Sequence, residues 1–440
     1  MPDSSPSLPP DRSETVFEDF KPAYDEKQAL VEANRCLYCF DAPCQTACPT
    51  HIDIAGFIRK IATGNTRGSA KTILDSNILG MSCARVCPVE VLCVGECVHN
   101  HQDVPPIAIG KLQRYATDKA LEEGWQFFEA GAPTGKRVAL IGGGPASLAA
   151  AHQLRRYGHG VTIFEARERL GGLNTNGVAP YKLRADDALA EVDYVLAIGG
   201  IEVQTGVAVG GPGGSSFADL ERDYDAIFLG IGLGADSVMK VPGADLAGIH
   251  GAVAFIEAFK TGTVDLEGVT HAAVIGGGNT AVDCVRELLG LGVPCVQMVY
   301  RGDEAGMSGY EHEWDEAKIE GAQAVWRAMP LAFEGAGRVA GVRCAALDDQ
   351  KKPTGREFTV PAALVLLAIG QSKLGALVAG LPGIALNNGR IVVDEGGATG
   401  RSRYYAGGDC ANGGKEVVNA VAEGKAAANT IHHHLTNGRE

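Results

Sequence analysis

The sequence predicts an α/β chain in which a small α-helical domain precedes two Rossmann-like domains. Three observations carry that prediction. Eight of the 12 cysteines fall between residues 36 and 97, and two Gly-Gly-Gly turns, at 142–144 and 276–278, each sit between a short apolar strand and a helix. The length of 440 residues leaves room for about three domains at ~150 residues each. The 59 glycines follow no short repeat, which excludes a collagen-like or linker protein. Lys and Arg number 39 against 53 Asp and Glu, a net charge of −14, which argues against nucleic acid or an anionic membrane as partner. No stretch reaches the ~18 uninterrupted apolar residues of a membrane span. Residues 1–19 are polar, acidic and rich in Pro and Ser, without the basic start and apolar run of a signal peptide. They read as a flexible arm of a cytoplasmic protein, and His432, His433 and His434 read as a solvated helix tail.

The first domain follows from its cysteines. Their spacing is Cys36-x2-Cys39-x4-Cys44-x3-Cys48-Pro49, then Cys83-x3-Cys87-Pro88, then x5-Cys93-x3-Cys97. A run of four cysteines ending in Cys-Pro is a ferredoxin-like signature for iron–sulfur clusters, in which the last Cys often serves the other cluster. Thiolates suit iron because they are soft, anionic donors. Two structural zinc sites are the alternative, but zinc ribbons prefer paired Cys-x2-Cys elements and only one occurs here. Eight cysteines suffice for two all-cysteine four-iron clusters, although spacing alone does not make all eight ligands. Between the two groups, Ile54, Phe57, Ile58 and Ile61, then Ala70, Ile73 and Leu74, recur at helical spacing on either side of Thr63-Gly64-Asn65. That pattern predicts two helices.

The second domain opens at Arg137-Val-Ala-Leu-Ile141, a short buried strand. Gly142-Gly-Gly144-Pro145-Ala146-Ser147 follows, then an alanine-rich helix to about residue 157 and an apolar strand ending at Glu165. Glu165 lies 23 positions after Gly142, near the ~20 expected of a carboxylate on a ribose hydroxyl. The glycines let the backbone approach a pyrophosphate, and the helix N-terminus supplies N–H groups and a positive dipole end. The third domain repeats the pattern with the strand 272–275, the turn Gly276-Gly277-Gly278-Asn279-Thr280-Ala281 and a helix over 282–289. Its next strand, 295–300, ends at Arg301 rather than an acid. An Arg there can accommodate a 2′-phosphate, but Asp303 and Glu304 follow and would repel one.

Near the C-terminus a strand over 401–404 leads into Tyr405-Ala-Gly-Gly408-Asp409, and a helix starts near Val417. This Gly-Asp resembles the second flavin motif of two-dinucleotide flavoproteins, where the carboxylate meets the ribityl and pyrophosphate region. The domains follow: an arm at 1–19, an iron–sulfur domain at 20–130, a discontinuous FAD domain at 131–250 and 375–440, and a nicotinamide domain inserted at 251–374. Disulfide reductases of this architecture need a redox cysteine pair, and after Cys97 no Cys-x2-Cys or Cys-x4-Cys occurs. Electrons would therefore leave FAD through the clusters, one at a time. Hydride transfer needs stacked rings and excluded water, so no catalytic side chain is expected.

The segments 35–49, Cys83-Ala-Arg-Val-Cys87-Pro88 and Leu92-Cys-Val-Gly-Glu-Cys97 resemble the N-terminal half of dihydropyrimidine dehydrogenases. Residues 20–435 resemble the separate electron-input subunit of the bacterial enzymes. Glutamate synthase small subunits share the layout, with a more compact second cysteine group. The resemblance implies one 4Fe–4S cluster on Cys36, Cys39, Cys44 and Cys97. A second would be held by Cys48, Cys87, Cys93 and Gln113, with Cys83 a bystander. For FAD it points to Gly142, Gly144, Pro145, Ala146, Ser147, Glu165, Gly172, Leu173, Lys182, Gly408 and Asp409. Lys182 stands where the family has Arg, keeping the charge but not the fork geometry. For the nicotinamide it points to Gly277, Gly278, Asn279, Thr280, Arg301, Ala368 and Gly370. NADPH-using relatives have further basic residues where this chain has Gly302 and Ser308, which favours NAD(H) over NADP(H). No FMN barrel of ~250 residues can fit. The resemblance therefore implies an FMN- and iron–sulfur-containing, pyrimidine-reducing partner subunit (PreA-like) in a heterotetramer. The alternatives are an input module for glutamate synthase and a non-catalytic iron–sulfur redox sensor.

Overall fold

The computed structural model describes residues 7–211 and 214–437. The N-terminal part is helical: α1 (Glu26–Ala33), α2 (Pro43–Thr46), α3 (Ile54–Ala62), α4 (Thr66–Ser76), α5 (Gly80–Val86) and α6 (Ile109–Glu122). Local chemistry starts these helices. Asp25 and Gln28 form a reciprocal capping box on α1, Asp53 caps α3, and Asn65 caps α4, each satisfying otherwise orphaned N–H groups. The apolar positions of α3 and α4 all turn inward, with Ile54, Phe57, Ile58, Ile61, Ala70, Ile73 and Leu74 buried.

Then comes a parallel sheet with β1 (Arg137–Ile141), α7 (Pro145–Arg156), β2 (Gly160–Glu165), α8 (Leu173–Asn176), α9 (Ala185–Leu196), β3 (Ile201–Thr205), α10 (Phe217–Asp223) and β4 (Ala226–Leu229). The second sheet is built from β5 (Ile249–Gly251), α11 (Ala252–Thr261), β6 (His271–Ile275), α12 (Asn279–Gly290), β7 (Cys295–Val299), α13 (Glu311–Ile319) and β8 (Gln323–Val325). An antiparallel trio follows, β9 (Ala328–Glu334), β10 (Gly341–Leu347) and β11 (Pro353–Pro361), before β12 (Leu364–Leu367) returns to the second sheet. After α14 (Gly375–Val378) and the hairpin β13 (Leu386–Asn387) and β14 (Arg390–Ile391), β15 (Tyr404–Ala406) rejoins the first sheet. The short α15 (Asp409–Asn412) and the long α16 (Val417–Asn437) close the chain.

Strand orders are β15-β4-β1-β2-β3 and β5-β12-β6-β7-β8. In both sheets the central strands are continuous apolar runs, as parallel strands covered on both faces require. One hydrophobic core joins the helical domain to the first sheet: Phe57, Ile73 and Leu112 belong to the same packed cluster as Val138, Leu148 and Ile431. The helical domain and the first-sheet domain are thus welded rather than tethered.

Four expectations are corrected. The described part of the N-terminal arm is packed against the body of the protein rather than loose. Residues 13–16 form a turn of 3-10 helix, and Arg12, Glu14 and Phe17 are buried; residues 1–6 lie outside the described residues. Buried Glu14 accepts from Arg12 and from the Ala185 N–H, so the acidic character that suggested solvent is spent on internal partners. The second sheet begins at Ile249, because β5 pairs with β12, two residues before the expected border. The last strand of the first sheet is Tyr404–Ala406 rather than 401–404, because Arg401 and Arg403 bind Glu221 and the carbonyls of Tyr224 and Asp225 from a turn. Finally, the histidine tail is only partly solvated. His432 stacks on Tyr157 at 3.9 Å between centroids, and His434 bonds the Tyr405 hydroxyl at 2.7 Å.

Candidate functional site

Two small pockets lie in or against the helical domain. Cys36, Cys39, Cys44 and Cys97 line the first, against the apolar side chains of Ile54, Ile58 and Ile107. Cys48, Cys83, Cys87, Cys93 and Gln113 line the second. The chain thus divides its eight clustered thiols four and four, with the Cys48 of the first motif crossing to the second pocket. Burial pushes the Cys44 thiol up to about 11 and Cys93 up to about 12, and neighbouring thiolates add to both shifts. Thiols crowded in a dry pocket resist ionising until a cation relieves them, which is the chemistry of a metal–sulfur site. Cys83 is not set apart: it hydrogen-bonds Cys87 and faces the same pocket. The Gln113 amide nitrogen donates to the Gly80 carbonyl at 2.7 Å, which leaves the amide oxygen as the donor atom the side chain can offer a metal.

The first nucleotide turn is built where β1 ends. Glu165 accepts from the Gly143 N–H at 2.7 Å and the Arg167 N–H at 2.8 Å, so the carboxylate expected at a ribose also staples the turn to the end of β2. The loop 171–173 presses on the same turn. Gly172 has φ +56°, and a Cβ there would sit 2.9 Å from the Cα of Gly144; only glycine permits that approach. Leu173 begins α8 directly after it. Pro145, Ala146 and Ser147 form the first turn of α7, and Gly408 comes against Ala146, with a Cβ-to-Cβ approach of 3.1 Å were it substituted. The ends of β1 and β15 therefore converge with the 171–173 loop at the carboxyl edge of the sheet, where open α/β sheets bind ligands. Burial, reinforced by Glu423 and Glu416, raises the Asp409 carboxyl to about 6. Glu423, which the sequence reading missed, accepts from the Gly408 N–H at 2.7 Å and from the Asn412 amide.

The second turn ends β6. Ser308 and Gly309 N–H groups bind the Gly277 carbonyl at 3.1 and 3.0 Å, and Asn279 accepts from the Tyr310 N–H at 2.9 Å. Gly278 precedes α12, whose first residues are Asn279 and Thr280. The Ala368 N–H bonds Ile275, and the Gly370 carbonyl takes the Ser237 N–H, which closes the far wall of the turn. Arg301 is exposed and forms no ion pair among the described residues. The two carboxylates expected to repel a phosphate are themselves paired, Asp303 with Arg327 at 3.3 Å and Glu304 with Lys318 at 2.6 Å.

Between the turns runs a polar junction. Lys182 does not stand free for a ligand: its ammonium lies 2.9 Å from Asp283 and 2.8 Å from Glu313, both on the second sheet's helices. The Tyr310 hydroxyl donates to Glu416 at 2.8 Å, one residue before α16. Asn279, Tyr310 and Glu416 thus make a hydrogen-bonded chain from the nicotinamide-type turn to the flavin-type turn. The cysteines outside the first domain occupy separate elements, Cys284 on α12, Cys295 on β7, Cys344 on β10 and Cys410 on α15, so none of these elements carries a cysteine pair.

Residues 12–125 match the family described as dihydropyrimidine dehydrogenase domain II, 4Fe-4S cluster, and residues 136–424 match pyridine nucleotide-disulphide oxidoreductases. The NADPH glutamate synthase small chain of Escherichia coli K12 is 33% identical over 94% of this chain and 93% of its own length. The NAD-dependent dihydropyrimidine dehydrogenase subunit PreT of the same strain is 33% identical over 96% of this chain and 98% of its own. Among solved structures, FprA of Mycobacterium tuberculosis in complex with NADPH covers 69% of this chain and 85% of its own at TM-score 0.57 and 19% identity. Thioredoxin reductase of T. acidophilum covers 68% and 98% at TM-score 0.55 and 20% identity. These structures share the two-dinucleotide flavoprotein fold.

Proposed function

The chain belongs to the family of FAD- and iron–sulfur-dependent pyridine-nucleotide oxidoreductases that includes glutamate synthase small chains and PreT subunits, and we propose that it is the electron-input subunit of a bacterial dihydropyrimidine dehydrogenase. Bound FAD would supply the acceptor for a hydride from NAD(P)H, and two 4Fe–4S clusters would supply a one-electron path to an FMN-containing, PreA-like partner of the kind that reduces uracil or thymine to the 5,6-dihydropyrimidine.

The observation that carries this reading is the continuity of the sites. Asn279, Tyr310 and Glu416 tie the nicotinamide turn to the flavin turn. Two residues beyond Glu416, Val418 of α16 lines the second thiol pocket. The residues of this chain would orient the cofactor and exclude water rather than move protons: Gly142, Gly144 and Gly172 would open the turn to a pyrophosphate, Glu165 holds that turn in place, and Asp409, after β15 at the same edge of the sheet, would meet the ligand beside it. Cys36, Cys39, Cys44 and Cys97 would hold one cluster, and Cys48, Cys87, Cys93 and Gln113 the other. NAD(H) is favoured over NADP(H), because Arg327 and Lys318 are committed to Asp303, Asp349, Glu304 and Asp315, and Gly302 and Ser308 carry no charge. Arg301 alone remains for a 2′-phosphate. No helix among the described residues is long and apolar enough to cross a membrane, and a cytoplasmic heterotetramer is the assembly we infer.

The glutamate synthase reading rests on relatives of equal identity, and the Cys87-x5-Cys93 spacing favours the pyrimidine reading over it. The test is an anaerobic pull-down from the source cells with identification of the partner. A flavin-barrel pyrimidine subunit, with NADH-dependent uracil reduction in the eluate, is expected; a glutamate synthase large subunit would replace the proposal. Rapid NADH turnover with an artificial acceptor separates both from a redox sensor. For the ligand sets, Cys87→Ser is expected to lose about half the iron and Cys83→Ser none, since a cluster needs its full ligand set and Cys83 stands outside the proposed one; equal losses would refute the assignment.

A further inference from the structure

Each thiol pocket contains one buried polar side chain that the proposed ligand sets do not use. In the first it is His99, two residues after Cys97 in the 3-10 turn Val98–His101. The ring is 8% exposed, and neither nitrogen has a hydrogen-bond partner. Apart from the four cysteines, every other residue lining that pocket is apolar, so no protein group there competes for the ring. In the second pocket it is Asn77, fully buried. Its side-chain oxygen caps the Leu79 N–H at 3.0 Å, while its amide nitrogen has no partner. Buried donors are usually satisfied. Among the described buried donors without a partner, His99 lines one thiol pocket and Asn77 the other, and that shared placement points to an acceptor that both pockets would hold.

We propose that His99 and Asn77 each donate an N–H hydrogen bond to sulfur of the iron–sulfur cluster in their pocket, and so set the potential at which each cluster accepts an electron. The proposal rests on the cluster assignment above. A neutral imidazole always carries one N–H, and a carboxamide carries two, so neither group needs to change protonation. A hydrogen bond to sulfur draws off negative charge. It stabilises the reduced, more negative cluster over the oxidised one and raises the potential. Both donors thereby make the clusters better acceptors for electrons leaving the flavin side, where Val418 of α16 touches the second pocket. His99 and Asn77 are positioning residues in this scheme, not ligands.

The test is a redox titration of the full-length, anaerobically purified protein followed by EPR, with iron and sulfide assayed in parallel. His99→Leu is expected to shift one cluster's midpoint potential downward at unchanged iron, and His99→Gln, which keeps an N–H donor, to restore part of the shift. Asn77→Ala is expected to lower the other potential and leave the first in place. Unchanged potentials in His99→Leu would overturn the proposal. So would loss of iron in step with one cluster, which would make the ring a ligand or a prop. Cys36→Ser serves as the control. If it leaves iron content intact, the cluster assignment itself has failed; if it removes the signal that His99→Leu moves, the two residues share a pocket.

Discussion

The carboxylate of Glu191, on α9 of the flavin-side domain, accepts from the Met81 N–H at 2.8 Å, from the Ser82 N–H at 3.1 Å and from the Ser82 hydroxyl. It caps α5, the helix that carries Cys83 and leads into Cys87, and so couples the flavin domain to the second thiol pocket. Burial is the largest influence on this carboxyl and raises it to about 7, against the pull of those hydrogen bonds. The native state therefore holds more protons than the unfolded chain between the ordinary carboxylate range and pH 7. The stability that Glu191 confers falls as pH rises through that window. Glu191→Ala leaves buried donors orphaned, at about 1–3 kcal/mol. The loss measured by denaturant titration should be larger at pH 5 than at pH 8, with faster iron release from the second pocket. A pH-independent loss would contradict this account. Nothing in the sequence marked Glu191, because a Glu on an amphipathic helix reads as solvent-facing and its partners lie about 110 positions away. Glu165 was legible because turn and strand chemistry fix its place locally.

At the scale of elements, α7 and α16 pack so closely that a Cβ at Gly424 would lie 2.0 Å from the Ala146 carbonyl oxygen. Ala146 lies in the first turn of α7, part of the proposed pyrophosphate site, so this crossing sets the position of that turn. Gly424→Val should destabilise the protein by roughly 1–3 kcal/mol through overpacking and lower the FAD bound per chain, with Gly424→Ala moving both less; normal FAD content in the valine variant would show that the crossing does not govern the turn. The same helix pair holds His152, set edge-on to Phe128. Burial, then Arg156 and Lys425, lowers it to about 3. A depressed histidine binds its proton more readily when unfolded, so its contribution is intact above about pH 6.5 and lost as pH falls toward 3. His152→Phe should move the acid-unfolding midpoint, followed by circular dichroism, to lower pH; an unmoved midpoint would exclude His152 as a trigger. The strands that end in glycine turns were legible because an apolar run bounded by glycine has few other solutions. The strand at 404–406 was misplaced by three residues, since the guanidiniums that pull Arg401 and Arg403 into a turn find their partners on α10 and the residues after it.

At the scale of the whole molecule, the segment read as a loose arm is the part that touches every domain. The Ser13 N–H donates to the Gly262 carbonyl at 2.9 Å, and the Val264 N–H returns to the Ser13 hydroxyl at 3.0 Å. Phe17 packs on Phe259 at 6.0 Å between centroids, and Arg286 lies 4.5 Å above the Phe20 ring. These contacts grip the nicotinamide-side domain. Glu14 and the Phe20 N–H hold the flavin side through the Ala185 N–H and the Tyr181 carbonyl, and Asp19 pairs with Arg114 of the iron–sulfur domain. Beside the strap, buried Lys260 of α11 donates to the Val178 and Leu183 carbonyls at 2.7 Å each, and burial lowers its ammonium to about 8. Hydride transfer between two bound rings depends on holding the reacting atoms about 3–3.5 Å apart, with little tolerance for misplacement. Strap and lysine together hold the two nucleotide turns in one relative position. Removal of residues 1–20 should therefore leave FAD and iron content near normal while NADH turnover with an artificial acceptor falls roughly 10–100-fold, the scale of a small misplacement of reacting groups. Glu14→Ala should fall between the two proteins. Thermal unfolding should separate into two transitions, the nicotinamide-side domain melting first. Full turnover in the truncated chain would mean that the Lys182 and Tyr310 contacts fix the domains without the strap.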